Sequence, residues 1–161
     1  MIRFLLDFQT TDILVITEKS VEKVDFYYIA DFLKIERNSE NNYRLSVKEI
    51  FHELLKHWKS VVMSDSSEIF IVYDLSDQYI SAFCIEKFNF KGRMYTKITK
   101  THTQQICGCN ITTDMTNEDL QKIEWEKDEN FLLQYDIKNI IKGIDWSIEN
   151  LKINTNPIDI G

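Results

Sequence analysis

The sequence predicts an α+β fold with a mainly antiparallel, curved sheet, a central helix after Ser46 and a C-terminal helix packed on that sheet. Strand-like apolar segments recur with short turns between them, and two longer segments each carry one apolar stripe at helical spacing. The chain has 161 residues, which lies within the roughly 100–200 residues typical of one domain. We therefore expect a single domain over residues 1–152, followed by a loosely ordered C-terminal tail over residues 153–161.

The N-terminal third contains two clear strand patterns and one ambiguous segment. Residues 2–8 and 13–17 predict strands around a polar turn. Over residues 24–35 the apolar positions fit a helical stripe, but the β-branched and aromatic content is typical of a strand, which we favour here. Residues 38–42 are rich in turn-forming Asn and Ser, so they predict a loop.

The central helix has a clear start signal. Ser46 and Glu49 have the spacing of a capping box, in which each side chain bonds the backbone N–H of the other residue. The apolar positions after Ser46 form one stripe that we expect to pack on the sheet: Ile50, Phe51, Leu54, Leu55 and Trp58.

The second half of the chain predicts an antiparallel meander and a last helix. Residues 69–75 are almost continuously apolar, which predicts a central strand covered on both faces. Short turns then connect strands over residues 79–88 and 93–102, and residues 130–135 predict a final strand. Thr116 begins a weaker helix pattern. Asp136 is a candidate N-cap for the last helix. Only Gly143 is unfavourable for a helix in this segment. The apolar stripe of this helix consists of Ile137, Ile140, Ile141, Ile144, Ile148 and Leu151.

Composition excludes several classes of function. The N-terminus lacks the pattern of a secretory signal, and no apolar run approaches the ~20 residues of a membrane helix, so we expect a cytoplasmic protein. Three cysteines are expected to be reduced thiols. With four glycines and no phosphate-binding loop, a nucleotide cofactor is not expected. The net charge of −7 opposes general binding of nucleic acid and suits a basic protein partner.

One segment has the residues of a zinc site. The sequence from His52 to His57 reads HELLKH, with Glu53 next to the first histidine, and resembles the HELLGH motif of the dipeptidyl peptidase III family. That resemblance implies zinc binding by His52 and His57, with Glu53 as general base for a zinc hydrolase. Lys56 replaces the glycine of the family. Residues five apart on a regular helix differ by about 140° in direction, so we favour two solvent-facing histidines and no bound metal.

A second set of soft ligands consists of His102, Cys107 and Cys109, with Cys84 as a possible fourth member. Structural zinc normally needs four ligands, so this set is incomplete unless Cys84 folds back towards it. Cys107 and Cys109 would share one face of a strand, and we favour two small buried residues in a sheet.

Charge is distributed unevenly along the chain. Residues 86–100 contain five basic residues and one acid, whereas residues 111–150 contain ten acids and four lysines. Trp125 lies within the acidic segment and is a candidate aromatic anchor. The predicted partner-binding residues are Glu124, Trp125, Glu126, Asp128 and Glu129. Such a surface would attract a basic partner and speed its association.

The layout from residue 43 to residue 150 resembles the small acidic immunity proteins of bacterial contact-dependent inhibition and other polymorphic toxin systems. The resemblance is carried by the helix ending at Trp58, the hairpin over residues 69–88 and the acidic segment over residues 116–130. It implies a non-catalytic protein that binds a toxin domain, often a nuclease, and blocks its active site. An alternative is single-stranded nucleic-acid binding through the basic hairpin of residues 87–100, with Phe88, Phe90 and Tyr95 as stacking residues.

Overall fold

Two antiparallel sheets and four α-helices form residues 1–153, which is the part of the chain that the computed structural model describes. The predicted α+β fold is therefore confirmed. Both sheets are open. Residues 154–161, which make up nearly all of the predicted tail, lie outside the described residues, while Ile153 ends the last helix. No helix within residues 1–153 is both long and apolar enough to cross a lipid bilayer.

The small sheet contains the first three strands, in the order β1 (Arg3–Leu6), β2 (Ile13–Ile16) and β3 (Val21–Val24). β1 and β2 confirm the strands predicted within residues 2–8 and 13–17. The strand favoured for residues 24–35 is wrong beyond Val24, because the short helix α1 (Ile29–Phe32) follows. Burial of three apolar side chains on this single turn outweighs the strand propensity of the segment.

The large sheet is the predicted meander, with β4 (Glu68–Leu75), β5 (Ile80–Phe90), β6 (Arg93–Thr103) and β7 (Glu126–Asp136) adjacent in that order. The last strand begins four residues earlier than predicted. β4 lies at an edge of the sheet, so the prediction of a central strand is wrong, although both of its faces are covered as expected. β4 reaches β5 only as far as Glu86, and β7 reaches β6 only as far as Tyr95. Beyond those residues the β5–β6 hairpin therefore projects as a two-stranded ribbon.

Three further helices complete the fold: α2 (Val47–Met63), α3 (Asn117–Gln121) and α4 (Ile137–Ile153). The predicted capping box at Ser46 is present, since its side chain accepts a hydrogen bond from the Glu49 N–H. α2 packs against α4 and β4, and Trp58 Nε1 donates to the Val72 carbonyl at 2.9 Å. α4 packs against β1, where the Phe4 N–H donates to Ser147 Oγ at 2.9 Å.

A continuous core of buried side chains joins both sheets and the long helices. Its largest fully buried members include Trp58, Tyr73, Phe4, Phe51 and Phe83. Of the predicted α4 stripe, Ile140 and Ile144 are fully buried, while Ile137, Ile141 and Ile148 are partly buried. The core leaves the outer edge of β7 and the ribbon of β5 and β6 to solvent.

Candidate functional site

The predicted acidic residues lie at the start of β7, the edge strand of the large sheet. Glu124 precedes the strand, and Glu126, Asp128 and Glu129 belong to it; all four are exposed. The pairing of β6 with β7 shifts between Thr99 and Thr101, so that residues 128–131 form a bulge. Bulges at sheet edges redirect side chains, and here the bulge holds Asp128 and Glu129 in solvent. We call these four carboxylates the acidic edge.

Trp125 has a different position from its acidic neighbours. Its ring stacks on Phe70 of β4, with centroids 5.2 Å apart, and its Nε1 donates to the Leu120 carbonyl at 2.8 Å. The side chain is only half-buried. Trp125 therefore holds the acidic edge against the sheet through contacts inside the protein.

Most of the acidic edge has no ion-pair partner within residues 1–153. Only Glu126 is paired, with its Oε2 3.3 Å from His102 Nε2. Asp128 accepts a hydrogen bond from the Asn130 N–H, a local contact that fixes its direction. Three carboxylates, those of Glu124, Asp128 and Glu129, thus remain available to an external cation.

A cleft of about 490 Å³ opens beside the acidic edge, with Asp128 in its wall. The other lining residues are Tyr79, Ser81, Lys100, Thr101, His102 and Gln104. Lys100 Nζ lies 2.6 Å from Glu22 of β3, so this lysine is neutralised by a contact between the two sheets. The lining residues are therefore of polar type, and they contribute one carboxylate, that of Asp128.

Asp74 adds a half-buried carboxyl group close to this cleft. Burial raises its pKa, the hydrogen bond from Tyr79 opposes that rise, and the nearby carboxylates of Asp25 and Glu22 add to it. Neither Glu22 nor Asp74 was among the predicted site residues. Asp74 could have been noticed because it interrupts an otherwise apolar strand, whereas only the packing of β3 against the large sheet brings Glu22 near.

The residues of the zinc-like segment do not converge. His52 and Glu53 line a cleft beside Leu151, whereas His57 lines another cleft beside Phe32. Glu53 pairs with Lys56 at 3.1 Å. His57 is half-buried and not solvent-facing as predicted, because its ring packs edge-on against Phe32, and this burial lowers its pKa. His52 Nδ1 lies 3.7 Å from Glu53 Oε1, but His57 lies in the other cleft, so the two histidines of the motif do not face one common position.

Cys107 and Cys109 do not lie in a strand, so the predicted buried pair in a sheet is wrong. They flank Gly108 at a 3₁₀ turn, and Cys109 is exposed. The Gly108 N–H donates to the Ser76 carbonyl at 2.7 Å, and a Cβ at this glycine would lie 3.0 Å from the Leu75 backbone. This close backbone contact bends the chain out of the sheet. Hydrogen bonding with Cys109 lowers the pKa of Cys107.

Among residues 1–153, one group of three potential metal ligands has donor atoms within 4.8 Å of one another: Glu68, Cys84 and Glu86. His102, Cys107 and Cys109 form no such group. Burial, followed by the neighbouring Glu68 carboxylate, raises the pKa of Cys84 to about 12, so its thiol stays protonated. Lys97 and Lys127 each lie 3.8 Å from Glu86. Two ammonium groups and a neutral thiol make this cluster a poor cation site.

Comparisons with known proteins give no relative for this chain. No protein-family model matches it, and no curated protein and no solved structure shows a significant match.

Proposed function

We propose that this chain is a non-catalytic binding protein of the immunity type, which neutralises a basic toxin domain by covering its active or substrate-binding surface. The observation that supports this most is the acidic edge, where three exposed carboxylates have no ion-pair partner within residues 1–153. In this role the protein acts in the bacterial cytoplasm, without a cofactor, on a basic protein partner.

The charge of the chain suits such a partner. A nuclease domain needs a basic surface to bind phosphates, and a protein with clustered carboxylates can occupy that surface in place of the nucleic acid. The net charge of −7 attracts a cationic domain from a distance, which raises the association rate. Steric and electrostatic occlusion then inhibits the toxin.

The cleft beside Asp128 supports binding in a second way. The lysine and the histidine that line it each contact a carboxylate of this chain, Lys100 that of Glu22 and His102 that of Glu126. A cationic side chain of the partner that enters the cleft would therefore meet Asp128 without strong repulsion from the lining. Buried or half-buried charge pairs of this kind are those that slow dissociation most.

The test uses purified basic nuclease toxin domains as partners, with association and dissociation followed by surface plasmon resonance at several salt concentrations. We expect replacement of Glu124, Glu126, Asp128 and Glu129 by Lys to lower the association rate by at least roughly tenfold and to weaken its salt dependence.

A matched control carries the same change in net charge elsewhere on the surface, with Lys at the exposed positions Glu36, Glu40, Asp65 and Glu149. We expect this control to bind more tightly than the acidic-edge variant. If both folded variants bind like the parent protein, with parental salt dependence, the acidic edge is not the binding surface. If the parent protein binds no such toxin domain and gives no protection against it, the immunity role is wrong.

A further inference from the structure

Three aromatic side chains share one face of the projecting ribbon. Phe88 pairs with Tyr95 across the two strands, and Phe90 pairs with Arg93. Directly opposite residues of an antiparallel pair lie on the same face, and so do residues two apart on one strand. The Phe88 and Tyr95 rings stack with centroids 6.2 Å apart, and Phe90 meets Tyr95 edge-on at 6.3 Å. We call Phe88, Phe90 and Tyr95 the aromatic strip.

The aromatic strip is open to solvent although it is apolar. Phe88 is 42% exposed and Phe90 is 55% exposed, and Met94 on the same ribbon is 40% exposed. β4 does not extend along this part of the hairpin, and β7 reaches it only at Tyr95, which pairs with Asp136. Clustered exposed aromatic residues cost solubility, and they mark binding surfaces more often than isolated ones do.

Cationic groups border the aromatic strip along the ribbon, while Asp136, which pairs with Tyr95, borders it on the β7 side. Arg93 and Lys97 lie on the same face by register, and Lys91 Nζ lies 5.3 Å from the centre of the Phe90 ring. Glu86, an acid on this face, has Lys97 and Lys127 each at 3.8 Å. Lys87, by contrast, lies on the opposite face and donates to the Ser64 carbonyl, so it does not contribute.

We propose that the aromatic strip binds single-stranded nucleic acid, with bases stacked on Phe88, Phe90 and Tyr95 and phosphates held by Lys91, Arg93 and Lys97. Sheet-borne aromatic side chains with a cationic border provide both forces that such ligands use, stacking and phosphate neutralisation. An anionic membrane would use the same cationic border, but it offers no planar bases for the paired Phe88 and Tyr95 rings to stack on.

The negative charge of the whole chain does not prevent this binding. Tyr95 and His102 are seven residues apart on β6, and His102 pairs with Glu126 of the acidic edge. At ~3.3 Å per residue the two surfaces are roughly 23 Å apart. The Debye length in physiological salt is about 8 Å, so the acidic edge is largely screened from a phosphate at the strip.

The test is a titration of the full chain into a fluorescein-labelled oligothymidylate of about twelve nucleotides, followed by fluorescence anisotropy at about 50 mM salt. We expect saturable binding and weaker binding of a duplex of equal length. Replacing any one strip residue with Ala should weaken binding roughly 5- to 150-fold, the range for one lost base stack. Tyr27→Ala removes an aromatic ring that is 69% exposed elsewhere, and it should bind like the parent.

The charge contribution is tested with Arg93→Glu combined with Lys97→Glu, against the exposed lysine change Lys142→Glu as control. The double variant should bind at least roughly tenfold more weakly and show a shallower salt dependence, because it contacts fewer phosphates.

Melting temperatures establish that every variant is folded. Absence of saturable binding by the parent, or parental binding by the Phe88→Ala, Phe90→Ala, Tyr95→Ala triple variant, overturns the proposal. So does strip-dependent binding to phosphatidylserine vesicles without binding to the oligonucleotide.

Discussion

The indole ring of Trp125 lies nearly parallel to the Phe70 ring, at an angle of 18° and a centroid distance of 5.2 Å. Phe70 is buried in β4, while Trp125 directly precedes β7. The two rings therefore connect opposite edges of the large sheet across the face that α3 helps to cover. Stability of the sheet and presentation of the acidic edge depend on the same contact.

We expect Trp125→Ala to lower the free energy of unfolding by about 2–4 kcal/mol, because it removes the stack on Phe70 and the hydrogen bond to the Leu120 carbonyl. Trp125→Phe keeps a ring at this position and loses only the donor, so it should cost about 1 kcal/mol. Urea unfolding of both variants measures these values. Equal stability of Trp125→Ala and the parent would show that the ring is free to contact a partner.

A second prediction compares two residues of α4. Ile144 is fully buried and Ile141 is partly buried, so an aspartate at position 144 places an unpaired carboxyl group in the core. We expect Ile144→Asp to leave no cooperative thermal transition and Ile141→Asp to retain one at a lower melting temperature. Circular dichroism during heating measures both. Similar transitions for the two variants would contradict the orientation of the helix.

The parts of the fold that the sequence predicted are those with local signals. The capping box at Ser46, the stripe of α4 and the short turns of the meander each involve residues close together in the chain. The acidic edge was also predicted as a group, since its four carboxylates lie within six residues.

What could not be predicted depends on contacts between distant segments. The turn at Cys107 and Cys109 is set by Gly108 against Leu75, and the charge near the cleft includes Glu22 from the other sheet. The role of Trp125 was also open, because stacking on Phe70 joins residues 55 positions apart. Local pattern and propensity do not encode such packing.

A third prediction concerns metal content. His52 and His57 line different clefts, and the thiol of Cys84 stays protonated beside two lysines. We expect elemental analysis of the purified protein to find less than one zinc per chain after dialysis has removed the unbound metal. Stoichiometric zinc that disappears in His52→Ala or His57→Ala would support the hydrolase alternative. Zinc that disappears only in Cys84→Ser would assign it to the sheet.

A fourth prediction uses the pKa of Asp74, which burial raises above its unfolded value. Ionisation of this carboxyl group then destabilises the fold, an effect that is absent below the unfolded pKa of about 3.9 and complete above the folded pKa. Asp74→Asn should therefore be more stable than the parent at pH 7, by a margin that shrinks towards pH 4.

Asp12→Asn provides the opposite case, because hydrogen bonds from Thr10 and Lys23 lower the pKa of Asp12. It should be less stable than the parent at pH 7, and its deficit should shrink only below the unfolded pKa of about 3.9, as the pH falls towards the lower folded pKa. Melting temperatures of the three proteins from pH 7 down to about pH 2 test both signs. A margin for Asp74→Asn that is constant with pH would show that the carboxyl group titrates normally.

The last prediction concerns Gly143, which looked unfavourable inside a helix. A Cβ at this position would lie 1.9 Å from the Ile2 carbonyl oxygen, so α4 and the start of the chain can approach this closely only with glycine between them. Alanine normally stabilises a helix interior by about 1 kcal/mol relative to glycine. We expect Gly143→Ala to lower the melting temperature all the same, because α4 must move away from β1 and the hydrogen bond between Phe4 and Ser147 is strained. Asn139→Ala, at an exposed position of the same helix, gains helix propensity without a clash and should be neutral or slightly stabilising. A higher melting temperature for Gly143→Ala would mean that α4 does not contact the N-terminal strand in this way.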